Sequence, residues 1–257
     1  MSASKTGLLV LAVFAHPDDE SLACGGTLAR LADAGATVVV MSASHGERGG
    51  PTGPVRDDAL GRRRAVELQD AARVLGVSRL FVWDHPDGDL RWDGVPGLHG
   101  DLLLFMRRHR PDAVITFGDD GLYWHLDHVG VHERTTAAVR SMGADAPPLY
   151  YTTMARGMMP EFVAAARRRG WTPPQKGFWS LMPEVFGIGA EQPTITVDVG
   201  DWVVRKLTAL QCHRSQLGDD SHPFAHVEEQ DARRLLGIEY FHRADIPTRG
   251  APVLETL

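Results

Sequence analysis

Two short stretches of the 257-residue chain carry the residue types that hydrolytic chemistry needs, His16-Pro17-Asp18-Asp19-Glu20 and Tyr123-Trp124-His125-Leu126-Asp127-His128. Imidazole and carboxylate are the ligands of a catalytic divalent ion, which takes three protein groups and keeps one position open for water. His16 and Asp19, three residues apart in a tight turn at a helix start, can address one centre, and His128 from an opposing loop completes a set of two histidines and one carboxylate. That set suits zinc and also ferrous iron. Asp18 stands beside Asp19 but should point elsewhere, as a general base for water would. His125, with Asp127 near enough to orient it, can stabilise an oxyanion as a charged imidazole or protonate a leaving amine, and Tyr123 can donate a second hydrogen bond. Each residue alone has a plainer explanation, as a surface histidine or an acidic helix cap. Their combination is what argues for chemistry. The pair His128 and His132 competes for the metal at i, i+4 spacing, but no glutamate follows His128 as it would in a zincin.

Something must bring the two stretches together. The first 140 residues alternate apolar runs with amphipathic stretches of helical period, the pattern of βαβ units and a parallel sheet. Strands are expected at 8–15, 37–42, 79–83 and 112–117, apolar almost throughout as strands covered on both faces should be. Helices are expected at 20–34, 57–75, 98–110 and 127–142, the second stopping at Gly76. Right-handed crossovers put every carboxyl end on one sheet edge, and in the order 3-2-1-4 the first and fourth loops face each other. All four loops hold histidine and carboxylate. The fold class is therefore α/β, a Rossmann-like parallel sheet with helices on both faces. The chain reads as a single domain, with 1–145 its βαβ part. Residues 146–257 form a less regular substrate-side and capping part, with a strand at 194–199 and a helix at 201–216.

Other functions are disfavoured by what the chain lacks. The turn after the first strand has no glycine fingerprint for a dinucleotide. A net charge of -6, from 27 Lys+Arg against 33 Asp+Glu with no basic stripe, argues against nucleic acid. The longest apolar run, 8–15, is too short to cross a bilayer. Two cysteines and no leader-like segment point to the cytosol. Cys24 reads as core. The partner is a small molecule; a homo-oligomer is left open.

Together these residues resemble the LmbE/PIG-L-like superfamily of metal-dependent N-deacetylases. The resemblance rests on Ala15-His16-Pro17-Asp18-Asp19-Glu20 and His125-Leu126-Asp127-His128. Ser44-His45-Gly46-Glu47-Arg48-Gly49, Arg64-Ala65-Val66-Glu67, and Lys206 with His213-Arg214-Ser215-Gln216 support it. It implies zinc-dependent removal of an N-acyl group, usually acetyl, from an amino sugar. By motif position His16, Asp19 and His128 correspond to the metal ligands and Asp18 to the base. His125 corresponds to the electrostatic catalyst oriented by Asp127, and Tyr123 to an oxyanion-stabilising tyrosine. Arg64 and Asp87 correspond to groups that hold the sugar, with Glu47 nearby. Leu126 and Trp124 stand where the family commonly has proline and glycine. Two rivals are a phosphoesterase, which would more naturally hold two metals, and a non-catalytic sugar-binding module, which would not need Asp18 or His125. Trp124 and the Trp171–Trp179 segment offer flat surfaces to an apolar or extended aglycone.

Overall fold

The computed structural model describes residues 4–50, 55–92, 94, 97–175, 180–187, 193–217, 223–226 and 228–257. Leu9–Phe14 (β1), Thr37–Ser42 (β2), Arg79–Val82 (β3) and Ala113–Phe117 (β4) form where the apolar runs place them, all parallel and in the expected order β3-β2-β1-β4. The inner strands are buried nearly throughout, whereas β3, at the sheet edge, is only partly covered. Asp19–Asp33 (α1) and Asp58–Leu75 (α2) cross on one face, and Gly97–His109 (α3) and Leu126–Arg140 (α5) on the other. A short helical turn, Gly121–Trp124 (α4), precedes α5. The α2 boundaries follow local chemistry. Asp57 accepts the amides of Ala59 and Leu60, and Gly76 ends the helix at φ 77°.

The second half extends the same sheet. Leu149–Thr153 (β5) joins β4 in parallel, and Ile238–Arg243 (β7) runs antiparallel between β5 and Ile195–Asp198 (β6). Met158–Arg168 (α6), Val203–Cys212 (α7), Arg214–Leu217 (α8) and Glu229–Leu236 (α9) complete the helices used below. The helix expected at 201–216 is instead a 3-10 turn at Gly200–Trp202 followed by α7 and α8, broken at His213. Among the described residues, no helix is long and apolar enough to cross a membrane.

One buried ion pair ties the halves together. Helix α1 leaves helical geometry at Cys24, itself buried, so the amides of Gly26 and Thr27 need acceptors. Glu239 on β7 supplies both oxygens, at 2.9 and 2.7 Å, while Lys206 of α7 gives its ammonium to the same carboxylate at 2.7 Å. Glu239→Ala leaves a buried cation and two amides without partners. We expect it to cost about 3–5 kcal/mol of stability in urea unfolding. A loss under about 1 kcal/mol would show that the pair is not what holds α1 to β7.

Candidate active site

The four loops at the carboxyl ends of β1 to β4 converge, and the first and fourth meet as the strand order requires. His16 leaves the end of β1 and lies among three carboxylates. Its Nε2 is 3.0 Å from Asp87 Oδ1 and 3.1 Å from Asp127 Oδ2, and its Nδ1 is 3.5 Å from Asp19 Oδ2. Burial opposes charge on this imidazole, but hydrogen bonds with Asp127, Asp19 and Asp87 lift its pKa well above the ordinary value. Asp19 in turn accepts the His16 amide at 2.8 Å and presents Oδ1 to His128 Nε2 at 3.1 Å. Burial raises its carboxyl pKa, yet His128 and His16 hold it well below the usual range.

His128 tests whether these residues fit a cation. Its ring stacks on Phe117 with centroids 4.0 Å apart, and its Nδ1–H donates to the Gly121 carbonyl at 3.1 Å. Since a carbonyl can only accept, Nδ1 carries a proton, which leaves Nε2 as the nitrogen a neutral His128 would offer to a metal. That buried Nε2 makes no hydrogen bond among the described residues, although a carboxylate oxygen stands 3.1 Å away. A buried imidazole nitrogen and a carboxylate oxygen converging at this distance, with His16 on the other oxygen of Asp19, are the donor types a divalent metal takes, so the set fits one. Donor atoms of His16, His125 and His128, and of His16, Asp87 and Asp127, also lie within 4.8 Å of one another. Gly121 cannot be replaced easily: at φ 54°, a Cβ would sit 2.8 Å from that of His128.

Asp18 occupies the turn between the ligands at φ 121°, a region that non-glycine residues seldom enter. Arg64 donates to Pro17 O at 2.8 Å and to Asp18 Oδ2 at 3.3 Å, while the Asp18 amide donates to Glu20 Oε2 at 3.1 Å. Burial, opposed by Arg64, pushes the Asp18 carboxyl up to about 6. The fourth loop is similarly strained, with Leu122 at φ 68° and Trp124 at φ 66°. It sets the Tyr123 ring 5.8 Å from His125 and 5.2 Å from His128.

Several expected roles change. Asp127 does not orient His125 with its side chain. Its carboxylate accepts Gly88 N at 2.7 Å, Leu90 N at 3.0 Å and His16, and only its backbone amide meets His125 Nδ1, at 3.3 Å. His125 is held neutral, because burial and the neighbouring His16 and His128 push its pKa down to about 3. It therefore offers Nε2–H as a hydrogen-bond donor, not a charged imidazole. Arg64, Asp87 and Glu47 are only 4%, 4% and 5% exposed. The Arg64 guanidinium also donates to Gly46 O at 2.8 Å, in a space left by Gly46 and Gly49, where a Cβ would sit 2.4 Å from it. Asp87 accepts the Arg48 amide at 2.5 Å with the oxygen not facing His16. Glu47 Oε1 takes Arg56, while its buried Oε2 has no partner among the described residues. Arg64 and Asp87 thus bind loops to one another and do not form a free donor and acceptor for vicinal hydroxyls. His132 turns away, donating to Phe117 O at 2.9 Å and lining a separate cavity with Asp119, Glu133 and Asp245, so it does not converge with His128. The sequence reading assigned no role to Glu20 or His213, a fully buried pair 3.0 Å apart beneath Asp18. Their only sequence signal is their place inside the quoted motifs.

A Rossmann-like sheet with a histidine–carboxylate cluster at its switch point defines an α/β protein with a metal-type site. The chain belongs to the PIG-L family, described as GlcNAc-PI de-N-acetylase, which residues 11–139 match. A 1D-myo-inositol 2-acetamido-2-deoxy-alpha-D-glucopyranoside deacetylase of Thermomonospora curvata is 30% identical, spanning 98% of this chain and 95% of its own. The N,N'-diacetylchitobiose deacetylase of Pyrococcus horikoshii superposes with TM-score 0.60 at 24% identity, over 92% of this chain and 83% of that one. A 4-carboxy-2-hydroxymuconate hydratase of Pseudomonas putida KT2440 does so at 0.61 and 20% identity, over 96% and 99%.

Proposed function

We propose that this chain is a zinc-dependent N-deacetylase that hydrolyses the acetamide of an N-acetylglucosaminyl conjugate, with His16, Asp19 and His128 as the ligands. The observation that carries the reading is Asp19 set between two buried imidazoles with Asp18 beside it. Asp87 and Asp127 are better suited to orienting His16, since backbone amides already take one oxygen of Asp87 and both of Asp127. A bound divalent ion supplies Lewis-acid polarisation of the amide carbonyl and lowers the pKa of water. Asp18 takes the proton of the attacking water as its oxygen bonds to the acetyl carbon. It returns that proton to the nitrogen as the C–N bond breaks, leaving a free amine and acetic acid, which gives up its remaining proton to solvent as acetate. Tyr123 O–H and His125 Nε2–H donate to the oxyanion between these steps. The relatives' names support the amino sugar as the nitrogen-bearing group. We further propose the whole chain as the working unit and the cytoplasm as its place, a reading supported by two free cysteines.

The group attached to the sugar is best read as apolar. A cavity of about 590 Å³ between α6 and residues 171–175 and 180–186 is lined by Met159, Val163, Trp171, Leu181, Met182 and Phe186, together with the polar Arg167, Gln175, Ser180 and Glu184. It adjoins the reaction centre through Phe186, whose ring lies 5.2 Å from that of Tyr123. Trp124 and Leu126, on either side of His125, add exposed apolar surface; Trp179 lies outside the described residues. Free-amine release should therefore be faster from alkyl or aryl N-acetylglucosaminides than from free N-acetylglucosamine, its inositol conjugate or N-acetyl amino acids. Met182 is 67% exposed, so Met182→Asp should fold normally. It should lower kcat/KM about tenfold on the alkyl glycoside, the worth of one buried apolar side chain, and leave the free sugar unchanged. Preference for amino acids would overturn the sugar reading, and equal effects on both sugars would overturn the cavity's role.

A further inference from the structure

The stretch His213-Arg214-Ser215-Gln216 takes no part in the chemistry above, yet three of its residues reach three different elements of the site. Ser215 gives its amide and hydroxyl to the two oxygens of Glu67 on α2, at 2.9 and 2.6 Å. Gln216 Nε2 donates to the Gly49 carbonyl in the second loop at 3.3 Å. His213 goes deepest, with Nε2 3.0 Å from Glu20 Oε1 and both side chains 1% exposed. Its Nδ1 is buried without a partner among the described residues, so the ring's one hydrogen bond is spent on Glu20.

What Glu20 does with its other oxygen gives that bond a purpose. Oε2 accepts the amide of Asp18, the residue held at φ 121°. Such a backbone persists only where its surroundings over-determine it. Arg64 fixes the turn from one side, through Pro17 O and Asp18 Oδ2, and Glu20 fixes it from the other. A carboxylate in so buried a place needs a partner to keep both its charge and its rotamer, and Ser21 Oγ and His213 Nε2 both converge on Oε1.

We propose that Glu20 and His213 form a buried dyad that holds the Asp18 turn in its strained geometry, making His213 a positioning residue for the base. This rests on the reading of Asp18 as that base. Relaxation of φ at Asp18 would swing its carboxyl away from the reacting water while leaving His16 and His128 in place. The cost should therefore fall on kcat and spare KM and metal content.

The test uses the full-length zinc-loaded protein and an alkyl N-acetylglucosaminide, with His213→Ala, His213→Gln and Glu20→Gln made in wild-type and Asp18→Asn backgrounds. His213→Ala should lose at least tenfold in kcat with KM and zinc per chain within twofold. His213→Gln, whose amide nitrogen can stand where Nε2 stands, should recover most of it. Glu20→Gln keeps one acceptor where two are needed and should resemble His213→Ala, which covers the case of a poorly folding alanine variant. In the Asp18→Asn background each change should cost less than twofold. Equal losses in both backgrounds, lost zinc, or no rescue by glutamine would overturn the proposal. An Asp18→Asn enzyme at wild-type rate would overturn the base reading itself, a different result from an additive loss.

Discussion

His16→Ala and His128→Ala should each yield a folded protein that has lost its divalent ion and at least about 10³-fold in turnover. The magnitude follows from what a metal contributes to a hydrolytic transition state, several kcal/mol, at 1.36 kcal/mol per factor of ten. Asp87→Asn and Asp127→Asn should behave differently. They leave every proposed ligand in place but weaken the acceptors that hold His16 by its Nε2, so affinity for the ion should fall about 10–100-fold and excess zinc should restore activity. Elemental analysis should find one ion per chain in the wild type. Two per chain would favour the phosphoesterase arrangement, for which His16, Asp87 and Asp127 would be the natural second group. Full occupancy in both alanine variants would remove His16 and His128 from the ligand set.

The fold was most legible where both faces of the sheet are covered. In β1, β2 and β4 burial on both sides demands nearly continuous apolar residues, and such runs stand out against their amphipathic neighbours. The strands β5 and β7 were not expected. Leu149–Thr153 sits in a stretch rich in proline and aromatics, and Ile238–Arg243 mixes Glu239 and Arg243 with its apolar residues because Glu239 is used inward, on α1. A charged residue on the covered side of a strand breaks the alternation by which a sequence announces that strand. The break at His213 has the same origin: the residue bends to reach Glu20 across 193 positions, and no local pattern records such a partner.

In the site, what could be read from the sequence was which residue types converge, not which atom faces which. Strand order alone places loops one and four opposite each other, and that brings Asp19 and His128 within reach. Whether a carboxylate then faces substrate or a neighbouring loop depends on a few ångströms of backbone, and Asp87, Asp127 and Arg64 all turned inward. Nor does the fold choose the reaction. A hydratase and a deacetylase superpose on this chain about equally well, at identities too low to carry function. The reaction class rests on the site residues and on the relatives that span the chain.

Asp18→Asn is the exchange that separates the two adjacent aspartates. Asparagine keeps the shape of the side chain and an oxygen for Arg64, and the amide of residue 18 can still donate to Glu20. The turn and the neighbouring ligands should therefore survive. What is lost is the ability to carry a proton, worth about 10²–10⁴-fold in turnover for a positioned general base. Ion content should stay at one per chain, whereas Asp19→Asn should lose the ion. The pH profile gives an independent sign. Burial pushes the Asp18 carboxyl up to about 6 and Arg64 works against that rise. The base acts only when ionised, so activity should fall as the pH drops through this value, or through a lower one when a cation adds its pull. Arg64→Ala should move that acid limb upward and cost turnover without emptying the metal site. If Asp18→Asn keeps its rate with one ion bound, or if the acid limb stays where it was in Arg64→Ala, the proton is carried by another group, and His125 is the next to be tested.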